Sequence, residues 1–366
     1  MNNRFEFLVF LIIALFSPFS LCAEEAYVTS EKGTLTFYYD NNKESRSGYV
    51  YDVATEYVGE GIYPAWQSDE ITKVTFDHSF SNFLPTSTAR WFHSCSGITE
   101  IENISNLNTS AVTNMNGMFY GCRSLKTLSL NSFNTGNVTN MDIMFYECNS
   151  LENLDLSTFD TSNVTSMIGM FYCCTQLKQL NVSSFNTSNV EDMQYMFFCC
   201  GNLTSIDVTS FNTSKVTNME RMFSCEERLG CIGNLTSLDL STFNTEKVTN
   251  MKRMFQDNVE LTTIYVDEGW STESLTIGDY LFFGCLKLVG GIGTVCDGIF
   301  QTDYTYAHID SDTMPGYFTY RQSPVDVNSI NCNIVFSDKC YSFDGRLVVR
   351  PTKGLYIRDG KKFVVK

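Results

Sequence analysis

The chain has 366 residues, 41 of them acidic and 25 basic, for a formal charge of -16 spread along its length. A negative field of that size repels phosphate backbones, and no Lys/Arg cluster interrupts it, so a nucleic-acid partner is excluded. The three histidines, His78, His93 and His308, stand beside no serine or cysteine nucleophile motif, which leaves catalysis little to build on.

Residues 1–23 read as an export signal. Arg4 supplies the positive start, Phe7 to Phe16 is an unbroken apolar run, and Ser20, Cys22 and Ala23 are the small residues of a cleavage site. The run is well short of the roughly 20 residues a membrane-spanning helix needs. No later segment is apolar enough, so no transmembrane segment is expected. The alternative is a lipoprotein with lipid on Cys22, although Leu21 stands where a small residue is usual.

Residues 24–70 form the expected N-terminal β cap, with 34–39 and 49–51 paired as a hairpin around Asn41-Asn42. From 71 to 293 one phrase returns: Val-Thr-Asn-Met-x-x-Met-Phe, then x-x-Cys, then Leu-x-x-Leu-x-Leu. Its phenylalanines Phe119, Phe145, Phe171, Phe197 and Phe223 are 26 residues apart, and Phe255 follows after 32 because six residues enter between Cys225 and Ile232. Weaker copies with Phe92 and Phe282 stand 27 residues outside these. Such a period means stacked coils, none of which buries its apolar side alone.

One coil shows the expected local structure. Leu151, Leu154 and Leu156 make a short strand, Phe159 re-enters the core, and Asp160-Thr161-Ser162-Asn163 is a polar turn. Met167, Met170, Phe171 and Cys174 sit at i, i+3, i+4 and i+7, the spacing of a short helix. The fold class is therefore an α/β solenoid, a right-handed leucine-rich-repeat-like stack of about nine strand-turn-helix coils. Its strands are expected to form one continuous parallel sheet, at about 4.8 Å per coil. Residues 294–322 are the C-terminal cap. Residues 323–366 are a small antiparallel β tail, with tight turns at Asp344-Gly345 and Asp359-Gly360.

The repeat at 151–174, Leu-x-x-Leu-Asp-Leu-Ser-Thr-Phe-Asp-Thr-Ser-Asn-Val-Thr-Ser-Met-x-x-Met-Phe-Tyr-x-Cys, resembles the BspA-like leucine-rich-repeat surface proteins of bacteria. The segments at 34–40, 85–92, 269–272, 306–310 and 315–318 resemble that family's caps. The tail 354–366, Gly-Leu-Tyr-Ile-Arg-Asp-Gly-Lys-Lys-Phe-Val-Val-Lys, is similar to the C-terminal sorting domain of type IX secretion, though shorter. The resemblance implies a secreted or surface-displayed adhesin of a Gram-negative bacterium, anchored outside the outer membrane, that takes a protein or glycan ligand on a host or microbial surface. It implies no catalytic residue and no cofactor.

Cys95, Cys122, Cys148, Cys174, Cys200 and Cys285 share one place in their coils. Parallel side chains there hold Cβ atoms about 4.8 Å apart, beyond the roughly 3.5–4.5 Å of a disulfide, so a buried thiol stripe is expected. Cys225 with Cys231, and Cys332 with Cys340, break the register and are the candidate bridges. The vicinal pairs Cys173-Cys174 and Cys199-Cys200 could suggest a metal, but one member of each belongs to the stripe and no histidine joins them, so no metal is expected.

Binding is expected at positions the phrase leaves free. On the strand face these are Lys126, Thr127, Ser129, Glu152, Asn153, Asp155, Lys178, Gln179, Asn181, Thr204, Ser205, Asp207, Thr236, Ser237, Asp239, Thr263 and Tyr265. The row of Asp155, Asp207 and Asp239 is interrupted by Ser129 and Asn181, which favours bonds to adjacent turns over calcium. Tyr120, Tyr146, Tyr172 and Phe198 form a second, aromatic stripe, readable as an interface anchor or as packing between coils. The sequence thus points to a non-catalytic adhesion or interaction protein. The alternatives are a carbohydrate-binding accessory module, a structural surface-layer component, or a hydrolase built on an acidic pair.

Overall fold

A computed structural model describes residues 23–54 and 62–321 and, in the tail, the backbone of four strands. The chain divides into two units, 1–323 and 324–366. The first carries β1 (Glu25–Glu31), β2 (Thr34–Asp40), β3 (Tyr49–Asp52), β4 (Lys73–Phe76), β5 (Glu100–Glu102), β6 (Asn153–Asp155), β7 (Gln179–Asn181), β8 (Ser237–Leu240), β9 (Thr263–Val266) and β10 (Phe318–Tyr320). The second carries β11 (Cys340–Ser342), β12 (Leu347–Val348), β13 (Gly354–Arg358) and β14 (Lys361–Val365), antiparallel in the order β12-β11-β13-β14.

The repeats stack coil on coil. Parallel bridges join Ser87, Asn114, Asn140, Ser166, Asp192, Asn218, Asn250 and Ile277 in one unbroken row. Between coils the phrase's phenylalanines lie ring on ring, with 5.6 Å from Phe119 to Phe145, 5.6 Å from Phe145 to Phe171 and 5.5 Å from Phe171 to Phe197. The Met and Val positions of the phrase and the first Leu of its leucine run are buried with them in one continuous core.

That spacing overturns the short helix. Packed helices need about 8–10 Å between axes, and adjacent coils offer little more than half of this. No α-helix occurs among the described residues. Met141 to Cys148 instead forms linked turns: Met144 N–H donates to the Met141 carbonyl and Cys148 N–H to that of Phe145, with Ile143 (φ 50°) and Glu147 (φ 55°) left-handed. Left-handed residues at the third position are those of type II turns. The alternate amides of Ile143, Phe145 and Glu147 point along the stack and donate to Ile168, Met170 and Tyr172. A helix would satisfy its amides internally, whereas these turns share them with the next coil.

A second ladder explains the polar part of the phrase. Thr161 Oγ1 donates to the Asn186 carbonyl at 2.9 Å and accepts the Asn186 N–H at 2.8 Å. Thr109, Thr135, Thr187, Thr213 and Thr245 make the same reciprocal pair with the following coil. All six threonines are buried. These hydroxyls satisfy backbone groups that would otherwise be orphaned inside the stack.

The strand face is not one sheet. It divides into β3-β1-β2-β4-β5, β6-β7 and β8-β9-β10. The strands are short because the residue ending the run turns the chain. Asp155, Asn181, Asp207 and Asp239 each accept the N–H two residues on, from Ser157, Ser183, Thr209 and Ser241. The expected cap hairpin is also corrected: β2 pairs with β1, and β3 pairs with the other edge of β1. The turn is Lys32-Gly33, both left-handed (φ 50° and 79°), which suits a two-residue hairpin loop. On its other side β2 runs parallel to β4, so the cap strand covers the open end of the first coil. At the far end β10 does the same against β9.

Candidate functional site: a groove on the strand face

Facing outward from the strand rows of successive coils is an open groove of about 990 Å³. It brings together nine of the residues proposed from the sequence: Thr127, Ser129, Asn153, Asp155, Lys178, Gln179, Asn181, Ser205 and Asp207. Its floor is a partly exposed apolar row, Leu128, Leu180 and Ile206, with the better buried Leu154 between them. Ile101 and Ile104 of the coil before were not foreseen, because that coil carries only a loose copy of the phrase.

The groove's polar groups fall into two kinds. Asp155 and Asp207 are occupied as turn caps, and the Ser157 amide and hydroxyl hold the Asp155 carboxyl below its usual range. Glu152 and Lys178 pair across neighbouring coils at 2.8 Å. By contrast, the side chains of Thr127, Ser129, Asn153, Gln179 and Ser205 have no hydrogen-bond partner among the described residues and present donors and acceptors to the groove.

Several proposed residues lie outside the groove lining. Lys126, Glu152, Thr204, Thr236, Ser237 and Thr263 are not part of it. Asp239 and Tyr265 are covered rather than free: Arg321 pairs with Asp239 at 2.7 Å and lays its guanidinium 3.5 Å from the Tyr265 ring centre. Nothing in the local sequence signals this contact, since Arg321 is 82 residues from Asp239.

The aromatic stripe packs against itself. Tyr120 stacks on Tyr146 at 4.5 Å, Tyr146 on Tyr172 at 4.1 Å and Tyr172 on Phe198 at 4.7 Å. The row extends backwards through His93 and Tyr63. Burial, and then the charge of Arg90, pushes the His93 imidazole down to about 4, so it stacks as a neutral ring at neutral pH. His93 was read only as an unpromising catalyst, and its place in the row could have been found from Trp-Phe-His at the position of Met-Phe-Tyr.

The stripe cysteines are free and buried, and the thiols of Cys122, Cys148, Cys174, Cys200 and Cys285 donate to a phenylalanine carbonyl of the preceding coil at 3.1–3.3 Å. At the same place Asn258 donates to the Phe223 carbonyl. Cys225 and Cys231 are thiols that face each other. Cys332 and the 1–22 segment lie outside the described residues. Among the described residues no group of His, Cys, Asp and Glu is arranged to hold a metal, and no helix is long and apolar enough to cross a membrane.

No curated protein matches the chain. A leucine-rich repeat protein from Bacteroides ovatus ATCC 8483, known from its crystal structure, is similar over 73% of this chain and 80% of its own, at 18% identity and a TM-score of 0.31. The sequence profile described as "Mycoplasma protein of unknown function, DUF285" matches residues 86–204, 152–230 and 203–295. These overlapping matches span the repeats and more than half of the chain, in keeping with the BspA-like reading of the phrase, and the chain belongs to the DUF285 family.

Proposed function

We propose that this is a non-catalytic interaction protein, exported and displayed at the cell surface, whose stack of about nine coils holds an extended segment of a protein ligand along the strand-face groove. The observation that carries this reading is the row of unpartnered polar side chains over an apolar floor. An extended polypeptide offers alternating backbone donors and acceptors to such a row and apolar side chains to Leu128, Leu180 and Ile206. No aromatic ring lines the groove, which favours a peptide over a sugar that stacks on ring faces. The surrounding acids, Glu100, Asp155 and Asp207, outnumber Lys178, which is already paired with Glu152. A neutral or basic ligand segment therefore suits the groove's field.

Surface display rests on the leader-like residues 1–23 and the sorting-domain-like tail. Cell fractionation with intact-mass analysis of the mature chain tests it: residues 1–23 should be absent, and a wholly intracellular, uncleaved chain would contradict export. Binding to panels of matrix proteins and glycans tests the groove. Asn153→Ala, Gln179→Ala and Ser205→Ala together remove groups with no partner among the described residues, so stability should hold while affinity falls at least ~10-fold. Undiminished binding by the triple variant, glycan capture alone, self-association without a ligand, or turnover of peptides or polysaccharides would each overturn the reading.

A further inference from the structure

The six-residue insertion does more than interrupt the period. Cys173, Cys199 and Cys225 occupy one place in three successive coils, next to the buried thiol stripe, and the insertion returns Cys231 into their midst. The Cys231 and Cys225 sulfurs are 3.0 Å apart, and Cys199 packs in the same cluster, with Cys173 against it. Cys199, Cys225 and Cys231 are buried, and Cys173 is half-buried.

The pocket around Cys231 is shaped for its sulfur. Gly201 stands opposite, where a Cβ would lie 3.0 Å from the sulfur and 2.7 Å from the Ile232 carbonyl oxygen. The neighbouring thiols, Cys199 first and then Cys225, hold the Cys231 thiol down, while the stripe thiols are pushed up by burial. The loop between the two cysteines, Glu227 to Gly230, is exposed, so its local opening admits a reagent.

We propose that Cys231 and Cys225 form a thiol–disulfide exchange site that takes the disulfide of a small thiol, with Cys199 as the positioning residue for Cys231. The Cys231 thiolate attacks one sulfur of the external disulfide; that S–S bond breaks, a mixed disulfide forms on Cys231, and the first small thiolate leaves and takes a proton. Cys225, giving its proton to solvent, then attacks the Cys231 sulfur and expels the second thiolate. Two protein thiols are oxidised by two electrons and one external disulfide is reduced to two thiols. The product staples the insertion. Glu226, at the start of the loop, pairs with Arg221 at 2.7 Å, and Arg221 lies over Phe198 at 5.4 Å. The site thereby fixes the end of the aromatic stripe, independently of the groove.

Glutathione disulfide is the probe. The reduced full-length chain is incubated with it, quenched in acid, alkylated and mapped by mass spectrometry after trypsin, which cuts at Arg228 and so separates the two cysteines unless they are bonded. The expected product is a 225–231 linked pair with Cys122, Cys148, Cys174 and Cys200 left as thiols. In Cys225→Ser the mixed disulfide should accumulate on Cys231, at least ~10-fold faster than on Cys173. Cys199→Ala should move the pH profile of that reaction upward, and Cys199→Ser should restore it. Modification of Cys173 in preference to Cys231, reaction only after unfolding, or protection of all four thiols that a chelator releases would overturn the proposal. Circular dichroism of each variant excludes unfolding, and the wild-type linkage provides a readout without any substitution.

Discussion

The strand face and the aromatic stripe are both rows of side chains repeated coil by coil, yet one is open and the other closed. On the stripe, like stands on like: Tyr120, Tyr146 and Tyr172 stack at 4.1–4.5 Å and use up their ring faces on one another. On the strand face the residues differ between coils, so Asn153 meets Gln179 on one side and Thr127 on the other, and no self-stacking row forms. Identical residues at matched places satisfy each other along a stack, while varied ones leave groups for a ligand. The same logic separates the inner ladders of Thr, Cys and Phe from the groove.

If the interior rows do not hold the coils together, closed and open rows differ in nothing that matters to the fold. Phe145→Ala removes a ring stacked on both neighbours and should cost about 3–5 kcal/mol, read as a lowered denaturation midpoint. An unchanged midpoint would mean that the stack tolerates cavities and is not close-packed. Next is Asp310 in the C-terminal cap. Its carboxylate accepts from Ile292 N–H, Thr294 N–H, Thr294 Oγ1 and Gly316 N–H. Burial pushes this carboxyl up, but those bonds outweigh it and hold it down at about 2. A depressed acid stabilises above its unfolded value, near 3.9, and the contribution is lost as pH falls from about 4 to about 2. Asp310→Asn should cost about 2–3 kcal/mol at neutral pH and flatten that part of the acid limb.

Thr161→Val keeps the shape but strips both hydrogen bonds to Asn186, leaving a buried amide and carbonyl unpaired. The expected loss is about 1–3 kcal/mol, with Thr161→Ser nearly neutral. Equal stability of Val and Ser would show that water reaches the ladder and would erase its contrast with the groove.

How far the chain could be read follows from the same division. The repeat, its core residues and nine of the groove positions were legible because a fixed period forces like residues into rows. The helix was misread because Met167, Met170, Phe171 and Cys174 have helical spacing, and spacing alone does not report the room between coils. Gly117 and Gly169 in Met-x-Gly-Met-Phe carried the correcting signal: both are left-handed at φ 56°, and Ile143 (φ 50°) and Tyr195 (φ 58°) at the same place are left-handed too. The pairing of β1 with β2 was missed because Lys32-Gly33 was passed over for Asn41-Asn42. The cover of Arg321 over Tyr265 was illegible, since it depends on how the cap returns to the strand face.

Gly169→Ala sharpens the turn reading with a smaller effect. The left-handed backbone penalises any Cβ, and this one would meet Ile143 Cγ2 at 3.3 Å, so a loss of about 1–2 kcal/mol is expected. A helix at this place would instead gain about 1 kcal/mol from Gly to Ala. The sign of the change in unfolding midpoint therefore decides between linked turns and a helix in solution.

The smallest expected effect lies on the open face. Lys178 and Glu152 are both exposed, and their ion pair spans two coils at 2.8 Å. An exposed pair is screened and is offset by the side-chain entropy of holding two long groups together, so Lys178→Ala should change stability by no more than about 0.5 kcal/mol. The substitution also removes the one basic side chain in the groove lining. If the ligand segment is neutral or basic, as the acidic surroundings favour, binding to Lys178→Ala should hold or strengthen, more so at low salt. Weakened binding with unchanged stability would instead identify an acidic ligand, and would reverse the sign of the electrostatic match assigned to this face.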